Sequence, residues 1–520
     1  MSPELPDLKP PRVGRSLLLR ASVGALLVTV LAAVATATAG ILAVDDLGNR
    51  LGSGQAAIVF ADDPADEADE IDADEAGAPQ TFLLLGSDRR WADLKKNNKL
   101  LKRDAPARSD TLMLVRMNPG EGVTSVMSVP RDLMVDIPGH GRAKINDAYS
   151  LGGEQLTFRT LKALLGQDFK IHHVVNVNFG GFKDAVNAVG CVYVDVDRRY
   201  YHSNAGLPVS QHYAEIDIDP GYQELCGQDA LDYVRFRHAD SDLVRAARQQ
   251  DFLRAAKDQI STSALIGDRD KLIDVFAENV ATDKRLQSTK GLLRVLKLGI
   301  FSAGKPVQEI QFPAHFAGDE TNSYVEASQA EVDRTVQRFL HPRSVLSAPR
   351  KTPSLTRKAK SRSSRSTSTA GLVDRRRQGE DLIAPTVAKG KLDFPLYFPS
   401  KLTTLGRYAT EDGAPRVYTI RDRGGKAHDA YRLVVVQNAL EGQYYGIQGT
   451  TWRKPPFLAH PTSTETIRGR KLLLFRSGSR LRLIAWKTPR GVYWVSNTLN
   501  NRLTNDQMRG IASTLRRFGQ

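Results

Sequence analysis

The stretch from Ala21 to Val44 carries no charged side chain. At about 1.5 Å of rise per residue, a helix of this length crosses a hydrocarbon core of about 30 Å. Lys9, Arg12, Arg15 and Arg20 precede it, and Asp45 and Asp46 follow. Basic flanks stay on the cytoplasmic side, so residues 1–20 are expected inside as a basic tail and the rest of the chain outside. A cleaved signal peptide is the alternative, and Ala35-Thr36-Ala37 resembles a cleavage site. The apolar run is long for a signal h-region, however, so residues 21–44 read as an uncleaved single-pass anchor in the cell membrane.

The chain has 520 residues, too many for one ordinary core, and a net charge of +15. Such a surplus can serve nucleic acid, anionic lipid or a phosphorylated substrate, and its location decides among them. Residues 45–79 include the run from Asp62 to Glu75, almost wholly Asp, Glu and Ala. That run reads as a solvated stalk, and it lacks the Gly and the spacing of a calcium loop. Residues 341–381 are rich in Ser, Thr, Lys and Arg between Arg350 and Arg377 and read as a disordered basic linker holding much of the surplus. Because the linker is expected outside the cytoplasm, anionic wall polymer or lipid headgroups suit it and nucleic acid does not.

Between stalk and linker, residues 80–340 alternate strand and helix patterns. TFLLLGSD, Asp110–Met117, Gly122–Val129, HHVVNVNF and CVYVDV read as strands. Helices are expected from Gly153 onward, over Gly181–Val189, from Gln228 to Val234 and from Asp242 to Ile260. This pattern predicts an α/β fold with α-β-α layers around a mostly buried sheet. Residues 382–520 read as a smaller α+β domain, with strands in DAYRLVVVQNA, RKLLLFRSG, LRLIAWKT and GVYWVSNTL. A closing helix is expected over Thr504–Phe518, with Asn505 or Asp506 near its N-cap. No set of chemistry-bearing residues stands out there, and wall or partner binding is the expectation.

The two cysteines, Cys191 and Cys226, can pair outside the cytoplasm. Two separate buried thiols are the alternative. A metal site is disfavoured because no nearby His or Cys completes four ligands.

Three clusters of the first domain carry possible chemistry. They are Gly86-Ser87-Asp88-Arg89-Arg90; Arg108-Ser109-Asp110-Thr111 with the later Ser128-Val129-Pro130-Arg131-Asp132; and Arg235 to Asp242 with Arg245, Arg248 and Gln249. Arg235 and Arg237 alternate, so an extended segment would point both to one side. Arg245, Arg248 and Gln249 follow i, i+3, i+4 spacing and share a helix face. Guanidinium forks on one face suit a phosphate oxyanion; a surface helix paired with carboxylates such as Asp242 is the plainer reading. Asp88 and Asp110, at strand ends, can hold a divalent cation with phosphate oxygens, or simply cap turns. Arginines and metal would neutralise a pyrophosphate while Asp240, Asp242 or His238 takes a proton from an attacking hydroxyl.

At LLLGSDRR, ARSDTLMLVRMNP, VMSVPRDLMVDIPGHGRAKINDAY, the Phe182–Val192 stretch and ALDYVRFRHADSDLVRAARQQ, the chain resembles the LytR-CpsA-Psr family of cell-envelope proteins. The resemblance implies that family's domain, α-β-α layers on a central mixed sheet. It also implies a phosphotransferase that moves a glycopolymer from a polyprenyl-pyrophosphate carrier onto peptidoglycan through a phosphodiester. By resemblance, Asp88 and Asp110 would hold magnesium or manganese. Arg90, Arg108, Arg131, Arg235, Arg237, Arg245, Arg248 and Gln249 would surround the pyrophosphate, and the lipid tail would lie in an apolar tunnel. Arg131, Asp240 and Asp242 are the catalytic expectation. Cys191 and Cys226 resemble a bridged pair of actinobacterial members. The region from Leu382 lacks the C-terminal motif of many such members, so that domain's role does not carry over. A lipid-carrier pyrophosphatase and a non-catalytic glycan binder are the competing readings.

Overall fold

The structure is a computed structural model. It describes residues 57–58, 78–87, 109–208, 212, 214–236, 242–259, 280–286, 298, 307–318, 324–342, 371–389, 392–410 and 415–519. The expected anchor over residues 21–44, nearly all of the stalk and residues 343–370 of the linker lie outside these residues. Among the described residues, no helix is long and apolar enough to cross a membrane.

The first folded unit runs through β1 (Ala57–Ile58), β2 (Gln80–Ser87), β3 (Ser109–Asn118), β4 (Val123–Val129), β5 (Met134–Ile137), β6 (Gly141–Lys144) and α1 (Ile145–Leu165). It continues through β7 (His173–Asn178), α2 (Phe179–Ala188), β8 (Val192–Val196), β9 (Tyr200–His202), β10 (Ile216–Ile218), β11 (Gly221–Leu225), α3 (Gly227–Arg235) and α4 (Asp242–Gln259). The last elements are β12 (Val280–Asp283), β13 (Val307–Gln311), β14 (His315–Phe316), β15 (Val325–Glu326) and α5 (Gln329–Leu340).

Seven strands form the central sheet in the order β1-β12-β7-β2-β3-β4-β13. The β1/β12, β2/β7 and β4/β13 pairs are parallel and the others antiparallel, so the sheet is mixed, as the resemblance implied. Side chains alternate across a strand. Leu83, Leu85, Leu112, Leu114, Met127 and Val129 therefore pack with α1 and α5. Their neighbours Phe82, Met113, Val115 and Val126 pack on the opposite face with Leu253 of α4. Burying each large apolar side chain contributes about 1.5–3 kcal/mol, and both faces gain it.

The helix expected from Gly153 onward starts earlier, at Ile145, and breaks at Gly152 and Gly153. Gly153 has φ of +62°, a conformation that favours glycine. The break lets Glu154 reach Asn176 of β7, whose Nδ2 donates to its Oε1 and to the Tyr149 hydroxyl.

The Thr81 N–H donates to His172 Nδ1 at 3.0 Å. Burial, then the charge of His173 and nearby basic groups, holds the His172 pKa down at about 4. An unfolded histidine titrates near 6.5, so between these values the unfolded chain binds the extra proton. This stabilisation is full above about pH 6.5 and is lost as pH falls toward 4. His172→Gln keeps an acceptor for Thr81. Its denaturant midpoint should fall less than the wild type's between pH 6.5 and 4, and an equal fall in both would exclude His172 as the source.

The second unit comprises β16 (Leu372–Asp374), α6 (Arg376–Ala388), β17 (Tyr397–Pro399), β18 (Lys401–Thr403), β19 (Arg407–Tyr408), β20 (Arg416–Arg421), β21 (Ala427–Asn438) and β22 (Gln443–Thr450). It ends with β23 (Ser463–Ile467), β24 (Arg470–Ser477), β25 (Arg480–Lys487), β26 (Val492–Ser496), α7 (Asn505–Ser513) and β27 (Leu515–Arg517). An eight-stranded antiparallel sheet dominates it, and helices α6 and α7 send Ile383, Met508 and Ile511 into its core.

Three expectations need correction here. Strand β1 pairs with β12 in the central sheet, so the first unit takes in Ala57–Ile58 from within the expected stalk and does not begin at residue 80. Residues 371–381 are folded rather than linker, because β16 pairs with β18 and α6 buries Ile383, so the unit begins ahead of Leu382. The closing helix stops at Ser513, and β27 pairs instead with β17. Its N-cap is Thr504, not Asn505 or Asp506. Thr504 Oγ1 accepts from the Gln507 N–H while Gln507 Oε1 accepts from the Thr504 N–H, a reciprocal capping box.

The two units dock through the β8/β11 hairpin, which reads differently on its two faces. Val192, Val194 and Val196 enter the core beneath α3 and α4. Tyr193 of β8 and Tyr222 of β11 instead pack with Trp452, Phe475 and Trp494 of the second unit. Asp195, on that same face, accepts from Arg432 Nη1 at 2.6 Å and from Trp494 Nε1 at 3.0 Å. Gly446 leaves the room that the Arg432 guanidinium occupies, since a Cβ there would overlap it. Cys191 and Cys226, at the foot of the hairpin, are disulfide-bonded.

Candidate active site

Helix α4 lies across the second face of the central sheet. On its β7-β2-β3 side is an apolar cavity of about 220 Å³. Leu84, Met113, Val177, Phe182, Leu231 and Phe252 line it. Four polar residues also line it: Thr111, Asn178, Arg235 and Gln249. A mostly apolar cavity with a few polar groups suits a hydrocarbon chain that ends in a polar head.

Arg235 is the last residue of α3, not part of an extended segment, so the expected alternation with Arg237 does not apply. The helix ends there because Phe236 takes extended backbone while its N–H caps Asp232. The Arg235 guanidinium lies 5.1 Å from the Phe179 ring centroid, and its Nε is 3.8 Å from Asp232 Oδ1. Burial pushes the Asp232 carboxyl up, opposed by two Gln228 hydrogen bonds and by Arg235.

Arg245, Arg248 and Gln249 do share one face of α4, and that face is buried rather than surface. Gln249 Nε2 donates to Thr111 Oγ1 at 2.9 Å and to the Val234 carbonyl at 3.2 Å, tying α4 to the start of β3 and the end of α3. Arg248 is 0% exposed. Its Nη1 donates to the carbonyls of Tyr233 and Phe236, and its guanidinium stacks 4.5 Å from the Tyr200 ring centroid. It lies beneath the α3 terminus and does not line the cavity, so the structure places it as a clamp on the segment that carries Arg235. Arg131 follows β4, half-buried, with Nε 3.6 Å from Asp132 Oδ2.

The backbone register brings the expected metal positions to one sheet rim. Gly86 pairs with Thr111 and Ser87 with Ser109, so Asp110 occupies a bulge between them. Bulges beside active sites re-aim side chains. Asp88 directly follows Ser87. The Asp110 and Asp242 side chains, together with Asp88, Arg90, Arg108, Arg237, His238 and Asp240, lie outside the described residues. Among the described residues, no group of three His, Cys, Asp or Glu could hold a metal ion.

Sequence reasoning missed the support beneath this rim. Ser87 Oγ donates to Asn176 Oδ1 at 3.0 Å, and Asn176 is fully buried. Its side chain joins Tyr149 and Glu154 in one polar network. The available signal was an asparagine inside the apolar strand HVVNVN, a residue that needs partners when buried.

The family described as LytR_cpsA_psr matches residues 53–339, more than half of the chain. The polyisoprenyl-teichoic acid–peptidoglycan teichoic acid transferase TagT of Bacillus subtilis is 33% identical over 235 residues, covering 45% of this chain and 68% of that protein. The transferase of that class named TagU from Oceanobacillus iheyensis is 32% identical over 220 residues, covering 41% of this chain and 61% of that protein. A solved structure of TagT bound to LIIa-WTA aligns at a TM-score of 0.40 and 28% identity, covering 52% of this chain and 94% of that one. The family match stops ahead of the second unit. With the motifs in order and a match over most of the first unit, the chain belongs to the LytR_cpsA_psr family.

Proposed function

We propose that the protein transfers a glycopolymer from a polyprenyl-pyrophosphate carrier to a hydroxyl of peptidoglycan, as a phosphotransferase. The observation that carries this reading is the apolar cavity with Arg235 and Gln249 in its wall, beside the rim that bears Asp110. The relatives' names, which specify a polyisoprenyl-linked polymer and peptidoglycan, support it.

The prenyl tail lies in the cavity between Val177, Phe182 and Phe252. Arg235, Arg131 and Arg245, with Arg90, Arg108 and Arg237, neutralise the pyrophosphate. Arg248 acts one layer below by fixing the α3 terminus. The acceptor hydroxyl attacks the sugar-side phosphorus, and its oxygen forms the new P–O bond. The bridging P–O bond breaks, polyprenyl phosphate leaves, and the hydroxyl proton passes to Asp240 or Asp242, with His238 as the other base. Asp88 and Asp110 would hold magnesium or manganese, which supplies charge neutralisation for the phosphates. The register that brings both strand ends to one rim supports that fit. Residues 21–44 anchor the chain with its N-terminus in the cytoplasm, which puts the site on the outer side where the carrier's glycan is displayed.

The test is transfer of labelled glycan from the lipid carrier to purified wall sacculi by the full chain in detergent with magnesium. Label on the sacculi and free polyprenyl phosphate are expected. Release of glycan phosphate into water with no label on the sacculi would establish the pyrophosphatase reading instead. Val177→Trp puts an indole into a cavity of about 220 Å³. It should abolish retention of added polyprenyl pyrophosphate by the purified protein, read by mass spectrometry of extracts, and lipid retained at wild-type level would show that the tail lies elsewhere.

A further inference from the structure

Helix α4 has a second cleft on its other side. Gln249 lines the apolar cavity, and the next residue, Gln250, lines a polar cleft of about 220 Å³ over β4 and β13. The first unit contributes Ser128, Gln250 and Gln311, and the second contributes Ser479 and Asn501 through its β24–β25 turn and its 499–501 loop. Leu243 and Ala246 of α4 add an apolar strip.

The lining has unmet hydrogen-bonding capacity. Ser128 is 3% exposed, yet its Oγ has no hydrogen-bond partner among the described residues. Asn501 Oδ1, from the opposite wall, has none either. Buried polar atoms are nearly always paired, so these two, with Gln308 Oε1 as a third in the same lining, call for a ligand or water that completes them. Of the three charged groups in the lining, Glu309 and Arg338 are already engaged and Arg480 is exposed to solvent. Glu309 contacts Arg254 and accepts from Ser477 Oγ at 3.3 Å, and Arg338 donates to Thr335 Oγ1. Strand β13 is the outer strand of the central sheet among the described residues.

We infer that this interdomain cleft binds a neutral, hydroxyl-rich saccharide, the acceptor glycan strand, and that the second unit builds half of the acceptor site. Amides and hydroxyls pair with sugar hydroxyls, and the Leu243–Ala246 strip suits a sugar's C–H face. The placement fits two substrates meeting at one centre. Helix α4 separates the apolar cavity from the cleft and carries Arg245 on the face it shares with Gln249. Ser128 lies in β4, which leads directly into Pro130-Arg131. The inference rests on the transferase reading for the word acceptor, but not for the existence of the site.

The test titrates the full chain in detergent with a soluble neutral tetrasaccharide of N-acetylated amino sugars, by calorimetry. Wild type is expected to bind saturably. Ser128→Ala and Asn501→Gly each delete one unpaired oxygen; glycine accepts the φ of +51° at 501 without strain. Each should weaken saccharide binding and raise the acceptor KM about tenfold, with kcat and prenyl-lipid retention unchanged. A wild type that does not bind the tetrasaccharide, or that binds only anionic polymer or peptide, overturns the inference. Transfer with unaltered acceptor KM in both folded variants also overturns it while leaving the transferase reading intact. Binding that the variants weaken, in a protein that transfers nothing, keeps the saccharide site and removes the transferase reading.

Discussion

Replacing Asp195 with alanine should destabilise the docked protein by about 3–5 kcal/mol and split its thermal unfolding into two transitions. The Arg432 guanidinium is 0% exposed, and Asp195 is its carboxylate partner at 2.6 Å. Gln448 Oε1 and the Asp197 carbonyl also accept from it, at 3.3 Å each. Neither carries the compensating charge. Removing the carboxylate leaves a buried cation, and the Trp494 N–H loses its acceptor too. A surface pair such as Arg377 and Asp381, 94% and 73% exposed, contributes at most about 1 kcal/mol by comparison. Asp195→Asn keeps an acceptor and should fall between wild type and alanine. Calorimetry of the three proteins is the measurement. One unchanged transition in Asp195→Ala would show that the remaining contacts, the aromatic cluster of Tyr193, Tyr222, Trp452 and Trp494 among them, suffice to hold the units together.

Arg235→Ala should lower transfer about 10²–10³-fold while the melting temperature stays near wild type. Its side chain lines the cavity, and its contact with Asp232 is long, 3.8 Å. Arg248→Ala should do the reverse. It removes a fully buried clamp on the Tyr233 and Phe236 carbonyls, so stability falls first and activity follows it. Steady-state transfer rates and melting curves on the same preparations separate the two. Arg235→Ala with full transfer would remove it from the site. Arg248→Ala with wild-type stability and lost transfer would make it a substrate contact after all.

These two arginines mark how far residue patterns reach. Spacing places Arg245, Arg248 and Gln249 on one face of α4, and the helix has that face. Spacing cannot say whether the face meets ligand or protein. Arg248 meets carbonyls released by the end of α3, a partner set that depends on where α3 stops. The extended segment expected for Arg235 and Arg237 does not hold at Arg235, for a related reason, and Arg237 lies outside the described residues. Extended geometry was assumed where the helix runs on to Arg235. The β8 sequence VYVDV was legible as a strand, but nothing local marks its Tyr193 and Asp195 as facing the second unit.

The amino-acid sequence by itself determined the uncharged stretch at residues 21–44, the α/β order of the first unit and the motifs that mark the family. Those depend on composition, periodicity and local spacing, which a linear chain displays. The tertiary structure alone decided that the second unit docks on the first through Asp195 and Arg432, and that α4 separates an apolar cavity from a polar cleft. Both join residues far apart in the chain, Asp195 with Arg432 and Ser128 with Asn501. Their proximity follows from how two sheets pack, and local sequence carries no record of it.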